Sequence, residues 1–149
     1  MSRGFTVIEL VTAMSLFLLV VGLGSVFSMT YLENQRVQTA GEIIGGEMRQ
    51  AQADAFASVN DSAHGVKIFS DHLIHFEGGS YATRNIAEDV SVDFVKAFTL
   101  SGLNEIVFPV ASLHPVTPGT VTVSQNERAI DITISSYGVI TTSERTISN

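Results

Sequence analysis

Gly4-Phe5-Thr6-Val7-Ile8-Glu9-Leu10, with the uncharged run that follows, decides how the rest of the chain is read. From Leu10 to Leu32 no side chain ionises except that of Tyr31. At about 1.5 Å of helical rise per residue, this run covers the roughly 30 Å of a bilayer's hydrocarbon core, so it predicts a membrane-spanning helix. Glu9 sits at the N-terminal edge of the run, inside a wider apolar sequence that begins at Phe5. A carboxylate costs on the order of 3 kcal/mol near mid-bilayer unless it is paired, and Glu9 therefore calls for a cationic partner. Proteolysis after Gly4 would supply one, a free amine on Phe5 one helical turn away. In an assembly, the carboxylate of one copy can neutralise the amine of its neighbour, which makes Glu9 an assembly residue.

The short start carrying Arg3 and ending in Gly4, then Phe5-Thr6-Val7-Ile8-Glu9 and a long apolar helix, resembles the class III signal of type IV pilins and type II secretion pseudopilins. The resemblance implies that residues 1–4 are a prepilin leader, that a prepilin peptidase cuts between Gly4 and Phe5 and N-methylates Phe5, and that Glu9 docks a new subunit into the growing filament. Its implied partners are other pilin or pseudopilin subunits, the prepilin peptidase and an inner-membrane assembly platform. One departure is the lack of a proline before Pro109, where many family members interrupt the helix. Gly22 and Gly24 can loosen it instead, at about 1 kcal/mol each relative to Ala. A conventional secretory signal competes, with Gly22-Leu23-Gly24 or Val26-Phe27-Ser28 as its cleavage site, but the apolar run exceeds the usual core of about 7 to 15 residues and such a core has no use for Glu9. A plain single-pass anchor is the other competitor.

The chain has 149 residues. Once the first helix is set aside, about a hundred remain, enough for one small domain. With no cysteine there is no disulfide, zinc-thiolate site or thiol nucleophile. The formal charge of -7 suits phosphate-backbone binding poorly. Arg3 ahead of the apolar run places that end in the cytoplasm. The expected localisation is thus a single pass of the inner membrane with the C-terminal domain outside, followed by a periplasmic or cell-surface filament.

Beyond Leu32 the helix is expected to continue to about Ser58 as an amphipathic element over residues 33–58. Its apolar face is Val37, Ala40, Ile44, Met48, Ala51 and Ala55, at the three-and-four spacing of a buried stripe. Asn60-Asp61-Ser62 should end it. Residues 59–149 then read as a β-rich domain. A hairpin over 65–69 and 73–76 turns at Ser70-Asp71, a short strand is expected at 81–83, and further strands at 90–94, 106–110, 120–124, 129–134 and 139–142. Ile130, Ile132 and Ile134 alternate with Asp131 and Thr133, the clearest period-two signal. The predicted fold class is α+β, a long N-terminal helix over residues 5–58, membrane-spanning over 5–32, packed on a C-terminal antiparallel sheet. Residues 49–54, 65–69 and 132–140 are similar to minor pseudopilins of the GspH/FimT type, which implies a pilin-like domain.

No enzyme chemistry is expected. There is no G-x-S-x-G nucleophile motif, and Gly78-Gly79-Ser80 lacks the Lys and following helix of a phosphate loop. His72 and His75, three apart in one strand, point to opposite faces, and the acidic residues lack EF-hand spacing, so no metal and no cofactor is expected. Arg128 and Arg145 lie among Glu127, Asp131 and Glu144 without a basic stripe, which argues against nucleic acid. The sequence therefore reads as a structural subunit of a pseudopilus or pilus-like filament. The alternative is a secreted or anchored β-domain binding module, with DNA in competence as one ligand.

Overall fold

The computed structural model describes residues 6–147 apart from residue 96, with backbone alone for residues 23–34. The elements are helix α1 (Val7–Phe56) and strands β1 (His64–Ile68), β2 (His72–Glu77), β3 (Val90–Asp93), β4 (Thr99–Gly102), β5 (Glu105–Phe108), β6 (Gly119–Gln125), β7 (Arg128–Ile134) and β8 (Ile140–Thr146). Three 3₁₀ turns lie at Val59–Asp61, Tyr81–Thr83 and Ile86–Glu88. Two compact units divide the chain, Met1–Asn34 and Gln35–Asn149.

In the second unit, the α1 stripe of Val37, Ala40, Ile44, Met48, Ala51 and Ala55 is buried. It joins one hydrophobic cluster with Val66, Ile68 and Leu73 of the first hairpin and Val121, Val123, Ile130, Ile132 and Ile134 of the second. Gln38 and Glu42, and Gln50 and Asp54, bond at i,i+4 along the polar side. The helix stops where Ser58, Asn60 and Asp61 take positive φ, which β-branched or bulky residues resist and Asn and Asp tolerate.

The strands form two antiparallel four-stranded sheets, ordered β3-β2-β1-β5 and β4-β6-β7-β8. In the β1–β2 pair, Val66 stands opposite His75, Ile68 opposite Leu73 and His64 opposite Glu77. Directly opposed residues share a face, so His64, Val66, Ile68, Leu73 and His75 all point to the same side as the helix stripe. In the β6–β7 pair, Val121 opposes Ile132 and Val123 opposes Ile130 on the core side. Thr120 and Thr133 hydroxyls bond across the other side at 2.8 Å, and Thr122 donates to Asp131 at 2.6 Å. Two close approaches depend on glycine. A Cβ on Gly41 would meet Ile130 at 2.7 Å, and one on Gly138, at φ +79, would meet the Leu113 carbonyl oxygen at 2.0 Å. Gln52 lies beside that second contact and donates from Nε2 to the carbonyls of both Leu113 and Gly138.

Several expectations are corrected. Among the described residues no helix is long and apolar enough to cross a membrane. The predicted membrane-spanning helix, and with it the single-pass inner-membrane localisation, is therefore not found. A prepilin leader loses its structural context for the same reason, since such a leader precedes a span. The pilin-like α+β arrangement of one long membrane helix on one sheet is replaced by a mostly β unit whose helix, residues 35–56, packs on two sheets. Tyr81–Thr83 is a 3₁₀ turn and not a strand, and β4 was not expected at all.

Candidate functional site

Of the predicted processing and assembly residues, Gly4 and Phe5 lie outside the described residues. Glu9 lies in the first turn of α1. Thr6-Val7-Ile8-Glu9 has the form of a capping box. The Thr6 backbone N–H and hydroxyl both donate to Glu9 Oε2 at 3.4 Å, and the Glu9 N–H donates to Thr6 Oγ1 at 3.4 Å. All three bonds are long for their type, so the carboxylate is held loosely and stays exposed. A negative charge at this position also suits the positive end of the helix dipole. Beyond it, every described residue from Thr6 to Gly22 is exposed. The large apolar side chains from Val7 to Val21 show between 52% and 80% of their surface. They face all sides of the helix, which is the pattern of an element meant to be enclosed.

A second cluster sits in the other unit, where α1 crosses the β1–β2 hairpin. His64 opens β1 and is 6% exposed. Its Nε2 lies 3.1 Å from the Val59 carbonyl oxygen; a carbonyl only accepts, so Nε2 carries a proton, and in the neutral ring Nδ1 is then the lone-pair nitrogen. His75 packs edge-to-face on His64, with ring centroids 5.9 Å apart. Its Nδ1 lies 3.4 Å from Glu47 Oε2 and its Nε2 lies 3.7 Å from Asp54 Oδ2. Gln50 donates from Nε2 to both Asp54 oxygens, at 3.0 and 3.1 Å. Ligand atoms of Asp54, His64 and His75 all lie within 4.8 Å of one another. The group lines a pocket of about 380 Å³ whose rim includes Asn60, Glu77 and Val90.

Sequence reasoning missed this grouping because it paired His75 with His72. His72 instead stacks on Phe69, with centroids 4.5 Å apart, and bonds Asp71 through Nδ1 at 2.7 Å. That hydrogen bond holds the Asp71 carboxyl below its usual range. His114 donates from Nδ1 to the Ser136 carbonyl at 2.9 Å. The missed signal is one of register. With His64 opposite Glu77, His75 is the diagonal neighbour of His64 on the same face.

Among the described residues, the lysine and arginines of the β region are matched by acids. Lys67 pairs with Glu105, Arg84 with Asp89, Arg128 with Glu144 and Arg145 with Asp131. Arg84 also lies over the Tyr81 ring, 3.7 Å from its centroid. No protein-family model matches the chain, and neither a curated protein nor a solved structure matches it.

Proposed function

We propose that this protein is a structural subunit of a pilus-like filament, of the type IV pilus or type II secretion pseudopilus kind, that assembles through the N-terminal half of α1. The observation that carries the reading is the all-round apolar surface of residues 7–22. Burying one Val, Leu, Ile or Phe side chain gains about 1.5–3 kcal/mol, and a helix apolar on every side realises that gain only when several neighbours enclose it. Parallel copies of the same helix do this, and they enclose each Glu9 among apolar neighbours. In that apolar setting an unpaired carboxylate is costly, so Glu9 sets the axial register of the copies.

The test separates the charge of Glu9 from its capping role. Glu9→Gln keeps the capping box, which accepts Glu or Gln at this position, and removes the charge. In the native host, Glu9→Gln is expected to leave the amount of folded protein unchanged while its incorporation into sheared filaments falls at least tenfold. Incorporation at the unsubstituted level would contradict the pairing role.

A further inference from the structure

We propose that Asp54, His64 and His75 form a zinc site that ties the end of α1 to the β1–β2 hairpin. Each residue presents one ligand atom to a common space, all within 4.8 Å of one another. Tetrahedral zinc ligands, at about 2.0–2.1 Å from the ion, lie about 3.4 Å from each other. His75 Nε2 and Asp54 Oδ2 already stand 3.7 Å apart, too far for a hydrogen bond and close to the spacing of two ligands on one ion. Small side-chain rotations bring in the third.

The surrounding bonds are those that orient metal ligands. A ligating imidazole gives its other ring nitrogen to a carbonyl or carboxylate, and a ligating carboxylate is itself hydrogen-bonded. His64 Nε2 is engaged by the Val59 carbonyl, which turns Nδ1 into the free donor atom. His75 Nδ1 stands beside Glu47, which turns Nε2 towards Asp54. Asp54 is held by Gln50. Every ligand thus has its own support, from a different group. Two imidazoles and one carboxylate suit zinc and disfavour calcium and magnesium, which take oxygen ligands. The pocket on the open side leaves room for water as the fourth ligand. The residues come from three successive elements, α1, β1 and β2, so the ion acts as a clamp.

Titration of the full-length, untagged chain with zinc sulfate at pH 7.5, followed by calorimetry, tests this. One zinc per chain is expected. His75→Gln and Asp54→Asn should each weaken binding at least 100-fold, and Glu47→Gln about 10- to 100-fold, as for a residue behind a ligand. His72→Gln and His114→Gln should bind like the unsubstituted chain. Far-ultraviolet circular dichroism confirms that each variant is folded. Should His75→Gln unfold, the visible spectrum of bound cobalt(II) decides instead: tetrahedral bands that Glu47→Gln alters support the site. No binding at one equivalent, equal zinc affinity in folded His75→Gln and Asp54→Asn, cobalt bands that Glu47→Gln leaves unchanged, or a preference for calcium would each overturn it.

Discussion

At the scale of single residues, Gly138 shows how tightly the second unit is drawn together. Its φ of +79 and a Cβ position only 2.0 Å from the Leu113 carbonyl oxygen leave no room for a side chain, and Gln52 bonds both of these loops to α1. Gly138→Ala is expected to destabilise by about 2–4 kcal/mol, combining a left-handed backbone penalty with a backbone clash. In urea melts this appears as a lower midpoint at unchanged slope. Gly46 is the contrast, exposed and with nothing within 4 Å of a built Cβ, so Gly46→Ala should gain up to about 1 kcal/mol of helix propensity. Glu9 belongs to this scale too. Its residue type and place were legible in sequence, while its bonds to Thr6 were not, since whether a T-x-x-E stretch closes as a cap depends on where the helix starts.

At the scale of elements, the helix stripe and the β6–β7 pair were legible because their periods are long and unbroken. Val37 to Ala55 repeats at three and four, and Ile130, Ile132 and Ile134 repeat at two. Thr99-Leu100-Ser101-Gly102 holds one large apolar residue, too few to announce β4. Tyr81-Ala82-Thr83 alternates like a strand but lies in a turn whose shape is set by Arg84, which donates from Nη1 to the Tyr81 carbonyl at 2.8 Å. The stripe's energetic weight can be measured. Ile44 is fully buried, and Ile44→Ala should cost about 2–5 kcal/mol through lost burial and the cavity left behind. Glu42→Ala on the exposed side should stay within about 0.5 kcal/mol. Equal losses in the two variants, measured by thermal or urea unfolding, would mean that the stripe is not the core face.

For the whole molecule, the sequence leaves two things open for physical reasons. Which strands join which sheet is a choice among tertiary pairings, and no local pattern separates one eight-stranded sheet from two of four. The meeting of His64 and His75 follows from the register of the β1–β2 hairpin, and that of Asp54 with them depends on where α1 packs on this hairpin. The apolar run was fully legible as a feature, yet the surroundings that enclose it were not. An apolar helix looks alike in lipid and among its own copies, and no membrane-spanning helix is present among the described residues. Enclosure by other copies is the central claim, and the absence of cysteine from the chain allows a direct test. Single cysteines placed at Val11, Met14, Leu18 or Val21 and, as a control, at the exposed Val139 would be oxidised in the native host and followed by electrophoresis. Disulfide-linked dimers from one or more of the α1 positions, lost when Glu9→Gln is added and absent for Val139→Cys, are the predicted result. Monomer at all four α1 positions would contradict assembly through this helix.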